Sequence, residues 1–131
     1  TARHVQSTAE GWAVLIGYSG TNFAELGLYI TLFFLGPLME ELLYRGLLQH
    51  AFFKDSRFGL DLILPSILFA LPHFSNFPSL LDIFFFATLG IIFAGLTHYT
   101  KSIYPSYAVH VINNIVATLP FLLTFLHRVF G

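Results

Sequence analysis

The chain is predicted to be all-α: a polytopic membrane bundle of about four transmembrane helices. Three observations predict this. Of its 131 residues 56% are hydrophobic and 10% charged, against about 25% charged in an ordinary soluble domain. Mean hydropathy is +0.74, too high for a water-exposed surface on so small a chain. The apolar residues fall into four long blocks parted by the short polar breaks KDSRFG, SNFPS and TKS.

The first block runs from about Asn22 to Phe53. At ~1.5 Å per residue it would be ~48 Å long, whereas a span needs roughly 20 apolar residues. A kink or break is expected near Gly36-Pro37, because proline lacks a backbone donor and clashes one turn back. The second block, about Leu60 to Phe74, is a short helix. The third, about Leu80 to Tyr99, and the fourth, about Ile103 to Leu126, are long enough to span. Residues 1–20 read as an interfacial lead-in to a single membrane-embedded domain covering 1–131. With no Met at Thr1 and no signal-peptide pattern, the expectation is a fragment or processed segment that lacks upstream helices.

Composition excludes several classes. A formal charge of −1 leaves no basic footprint for nucleic acid. Cysteine is missing, so there is no disulfide framework, thiolate nucleophile or Cys-ligated metal. Loop charges give the orientation. Lys54, Arg57 and Lys101 fall on one side and Arg3 and Arg128 on the other, which predicts the first side to be cytoplasmic.

Ionisable residues inside a span are costly and are functional candidates by default. The stretch GPLMEELLYRG places Glu40, Glu41 and Arg45 between the apolar runs LYITLFFL and LLQHAFF. Glu41 and Arg45 are four apart with the acid first, the favourable order on a helix, so this pair neutralises itself. Glu40 lies about 100° further round the helix with no partner in its own segment. His73 stands in FALPHF. His110 and Asn114 in AVHVINN share a helix face, and Asn113 points elsewhere. Counted at ~1.5 Å per residue from the cytoplasmic ends, Glu40 lies ~20 Å deep, His73 ~18 Å, and His110 and Asn114 ~9 and ~15 Å. Three helices thus bring polar groups to a similar intermediate depth, where one buried pocket can collect them.

A carboxylate and a nearby histidine can hold and deprotonate a water. A second histidine and an amide can donate to the oxyanion formed when water attacks a carbonyl. Glu40, His73 and His110 are equally able to supply the three protein ligands of a catalytic zinc. Spacing alone does not choose between these readings, and no HExxH motif is present.

EELLYR resembles the EExxxR signature of the CAAX-protease and bacteriocin-processing (CPBP, or Abi) family of intramembrane proteins, related to type II CAAX prenyl endopeptidases. The family's FxxxH is matched by Phe69 to His73, and its HxxxN by His110 to Asn114. Each motif is weak alone. All three in order on successive apolar segments are a specific signal, and the resemblance covers roughly residues 22–126. It implies an all-helical membrane fold and hydrolysis of a peptide bond near the membrane face. On this resemblance Glu40 and His73 activate water, His110 and Asn114 stabilise the oxyanion, and Glu41, Arg45 and Phe69 support them. Members have been described both as metalloproteases and as metal-independent glutamate proteases. The cofactor is therefore either a divalent metal such as zinc or none. The implied partners are the lipid bilayer, a peptide or membrane-protein substrate, and partner membrane proteins. The implied location is a bacterial plasma membrane with the site facing the cytoplasm.

Other polar residues read as structural. His4, His50, His98 and His127 lie near segment ends and read as interfacial or incidental. Ala87, Gly90, Ala94 and Gly95 form a small-residue seam suited to close helix packing. Two rival functions stand beside the protease: a non-catalytic immunity or regulatory protein of the same fold, and an ion or proton pathway. The clustering of polar groups at one depth argues against the pathway, which would spread them through the bilayer.

Overall fold

The structure, a computed structural model, describes residues 22–56, 59–76 and 79–131. The expected lead-in at 1–20 and the charges at Arg3, His4 and Arg57 lie outside the described residues. Among those described, every regular element is helical. Three helices are long and apolar enough to cross a membrane, Phe23–Phe52, Leu80–Thr100 and Tyr104–Phe130, and a fourth, Leu60–Ser75, is shorter. The all-α membrane bundle is the observed architecture.

Helix α1 is one rod in four pieces: α-helical Asn22–Ile30, a π-helical turn Thr31–Leu35, α-helical Gly36–Glu41 and π-helical Leu42–Phe52. The break expected at Gly36-Pro37 takes the form of this first π turn. Pro37 has no N–H to give, and its ring would crowd the carbonyl four residues back. The chain responds by widening the preceding turn, so that Gly36 N–H bonds to Thr31 O, five residues back. A Cβ on Gly36 would stand 3.1 Å from that same carbonyl, which favours glycine there. In this register Leu32 O would look to the amide hydrogen that Pro37 lacks. The Asn114 side-chain amide takes its place, donating to Leu32 O at 2.9 Å, and the Tyr107 hydroxyl donates to Phe34 O at 3.2 Å.

Helix α2, Leu60–Ala70, tightens into a 3-10 turn, Leu71–Ser75, where Pro72 cannot continue the α-helical ladder. It starts after Gly59, whose φ of 70° is the left-handed conformation glycine adopts readily. Helix α3, Leu80–Thr100, begins at the Ser79 cap, whose side chain accepts from Leu81 N–H. It ends at Lys101 with a φ of 57°, so the TKS break is a short left-handed stop. Helix α4, Tyr104–Phe130, follows with Pro105 in its first turn, where a missing N–H is harmless.

Two buried clusters hold the helices. Tyr29 and Phe33 of α1 pack on Phe125 of α4. Tyr44 of α1, Phe69 of α2 and Phe93 of α3 form the second, next to the polar residues described below. Arg128 donates to Glu25 beside the first cluster, tying the outer ends of α1 and α4. Large apolar side chains elsewhere, such as Phe23, Leu81 and Phe84, face outward, as lipid-facing surface requires.

The small-residue seam on α3 is real and has a defined partner. A Cβ on Gly90 would meet Ser66 Cα of α2 at 2.9 Å, whereas one on Gly95 would meet nothing within 4 Å. Gly90→Ala should therefore lower the thermal unfolding midpoint in detergent, at an overpacking cost of about 1–3 kcal/mol. Gly95→Ala should leave the midpoint unchanged or slightly raised; equal behaviour of the two variants would contradict this account of the α2–α3 contact.

Candidate functional site

Glu41 and Arg45 are both 0% exposed. They lie one turn apart on α1 where it crosses α4, with Glu41 Oε1 3.3 Å from Arg45 Nη1. The same oxygen is 3.0 Å from His110 Nδ1, and Glu41 Oε2 accepts from the Ser106 hydroxyl, one turn before His110 on α4. The guanidinium of Arg45 donates through Nη2 to Gly90 O at 3.1 Å. It also lies against the rings of Phe69 and Phe93, 4.7 and 5.1 Å from their centroids, whose faces attract a cation. The charge costly to bury is thus met by an acid, a carbonyl and two rings.

His110 is fixed on every side. Its ring stacks on Phe93 at 4.7 Å and meets Phe69 edge-on at 5.6 Å. With the Glu41 carboxylate accepting, Nδ1 carries the hydrogen and Nε2 is the nitrogen left for chemistry. That Nε2 lies 3.5 Å from Glu40 Oε2. Glu40 is 36% exposed by side chain, yet its Oε2 is buried with no hydrogen-bond partner. The array runs carboxylate, imidazole, carboxylate: Glu41 orients the ring and Glu40 faces its free nitrogen. It is the base-plus-orienter geometry on which general acid–base catalysis relies.

The other expected residues fall nearby in different ways. His73 donates its Nδ1 hydrogen to Phe69 O at 2.9 Å and stacks on Phe86 at 4.1 Å. It touches the same Phe69 ring that His110 touches, so the FxxxH aromatic stands in contact with both histidines. The imidazole beside Glu40 is that of His110, 3.5 Å away, while His73 stands across the Phe69 ring from it. Asn114 shares the helix with His110, and its amide is engaged with Leu32 O. Among the described residues no three His, Cys, Asp or Glu side chains are grouped to hold a metal. Of the candidate zinc ligands, His110 Nε2 faces Glu40 Oε2 at 3.5 Å, and His73 is bound to Phe69 O through Nδ1.

Sequence reasoning missed Ser106, although it stands four before His110 as Glu41 stands four before Arg45. It also missed Gln49, whose amide donates to Ala94 O at 2.9 Å. His98, read as interfacial or incidental, lies 55% exposed near the end of α3 and has a partner there: its Nδ1 is 2.9 Å from Asp61 Oδ2. That partner lies on another helix, where no spacing rule could find it.

The fold and these motifs define a CAAX-protease-like membrane protein. The chain matches the family described as type II CAAX prenyl endopeptidase, Rce1-like, over residues 22–116, and it belongs to that family. No curated protein and no solved structure matches it. The matched stretch contains all three motifs.

Glu41→Ala should destabilise strongly, by about 3–5 kcal/mol, because it leaves Arg45 buried without its counter-charge. Glu40→Gln should change stability by less than about 0.5 kcal/mol, as substitutions at partly exposed positions usually do. Thermal unfolding in detergent separates the two, and comparable losses would mean that Glu40 is a structural acid.

Proposed function

We propose that the protein is an intramembrane endopeptidase in which Glu40 activates water. The observation that carries this reading is the pairing of Glu40 Oε2 with His110 Nε2 at 3.5 Å, while Glu41 holds the opposite nitrogen at 3.0 Å. Glu40 accepts a proton from a bound water as the oxygen attacks the peptide carbonyl. His110, adjacent through Nε2, relays that proton to the departing nitrogen, so that one C–N bond breaks and an acid and an amine leave. The oxyanion needs donors; Asn114 keeps that role from the family resemblance, which gives His73 to water activation beside Glu40. We take the mechanism to be of the glutamate type, because each ring nitrogen of His110 faces a carboxylate.

The site lies nearer the end of the bundle that carries Lys54 and Lys101, since Ser106 and His110 are in the first two turns of α4. The positive-inside rule assigns that end to the cytoplasm of a bacterial plasma membrane. The substrate is a peptide or membrane-protein segment whose scissile bond sits near that face, with prenylated CAAX termini as the family precedent.

The test is cleavage in liposomes of two substrates, a prenylated CAAX peptide and an unmodified transmembrane peptide, with fragments read by mass spectrometry. Glu40→Gln and His110→Ala should each lower kcat by at least about 10²-fold with the unfolding midpoint of Glu40→Gln unchanged, and cleavage should survive a zinc chelator. Retained cleavage in Glu40→Gln would sink the mechanism. Failure of the wild type on both peptides would turn the reading to the immunity or regulatory protein of the same fold.

A further inference from the structure

A hydrolase inside lipid needs a supply of water, and the seam between α1 and α3 holds polar atoms that the protein itself does not satisfy. Gln49 uses its amide nitrogen on Ala94 O, but its Oε1 is buried without a partner. Thr97, one turn along α3 from Ala94, has a buried Oγ1 without a partner, and Arg45 has its Nε in the same condition. All three residues are more than nine-tenths buried. Leaving such a group unmet costs about 1–3 kcal/mol, and native proteins keep few.

These atoms follow a line. Glu41, Arg45 and Gln49 step by four along α1, the carbonyls of Gly90 and Ala94 on α3 accept from Arg45 and Gln49, and Thr97 follows one turn beyond Ala94. The two carbonyls line the seam. Next to Thr97 stands His98, 55% exposed, in its pair with Asp61. The line therefore runs from the Glu41–His110 array to the exposed end of α3.

The geometry points to a file of water molecules bound in the α1–α3 seam, connecting the bulk solvent near His98 with the Glu41–His110 array. Gln49 Oε1 accepts from one water, the Thr97 hydroxyl donates to or accepts from the next, and the Arg45 Nε–H closes the inner end. A buried water requires two to four such partners. The file itself rests on the packing alone; its part in catalysis rests on the hydrolase reading above.

The absence of cysteine makes a direct test available. Thr97→Cys and Gln49→Cys each place a single S–H oscillator in the whole chain, whose infrared stretch shifts when the thiol exchanges in D2O. Thr118→Cys is the dry control, since Thr118 is 1% exposed and its hydroxyl donates to Asn114 O at 2.8 Å. In protein shown by its unfolding transition to be folded, the thiols at 97 and 49 should exchange at least about tenfold faster than the one at 118. Protection equal to that at 118 at both positions would overturn the file. In the cleavage assay, the double variant Thr97→Val, Gln49→Leu should lower kcat about tenfold with KM unchanged. Fast exchange in a protein that cleaves nothing would keep the file and remove the hydrolase, whereas slow exchange in an active enzyme would do the reverse.

Discussion

At the crossing of α1 and α4 a carboxylate is held out of water by an arginine, a serine and a histidine. Much of the structure is arranged to make that position tolerable. Arg45 comes from the same helix one turn on, Ser106 and His110 from one face of α4, and the rings of Phe69 and Phe93 close over the guanidinium and the imidazole. Each contact has a cost of its own, since an unpaired Glu41 or Arg45 in lipid would be worth several kcal/mol against insertion. Together they cancel, and the by-product of cancellation is a histidine whose ring cannot turn. Glu40, about 100° round the same helix, is left at the edge of this rigid group, half in and half out.

The proline two residues after the π turn serves the same end. It disrupts the ladder of α1 just before the acids, and the carbonyls at the disruption are met by α4 through Asn114 and Tyr107. A break that would weaken a lone helix becomes a docking point for its neighbour. Asn114 lies one turn beyond His110, so the contact that mends α1 also sets the depth at which His110 meets Glu41.

Much of this was legible in the sequence for simple reasons. Spans follow from runs of apolar residues, the break from Pro37, and the close α2–α3 approach from Gly90 and Ala94. The pair Glu41–Arg45 follows from spacing along one helix. What spacing could not supply was anything requiring a second helix. Ser106 and His98 find their partners 65 and 37 residues away, and a crossing angle alone decides such meetings. The same limit applies to the histidines: counting depth from segment ends places residues along the bilayer normal but says nothing of azimuth. His73 and His110 both reach Phe69, and only azimuth decides which of them meets the glutamate.

The ties between α1 and α4 carry one more consequence. Going down α1 they fall at Glu25, Leu32, Phe34 and Glu41, and they are met in roughly reverse order on α4 by Arg128, Asn114, Tyr107 and Ser106 with His110. The four fall at unequal intervals, seven, two and seven residues apart on α1. Like the wards of a lock, unequal intervals match in one alignment only. A slip of α4 by a single turn would part Arg128 from Glu25 and take Ser106 and His110 away from the buried Glu41 at once. The lowest-energy alignment of the two helices is thus the one that assembles the Glu40–His110 pair, and proofreading of helix register is built into the same residues that form the site.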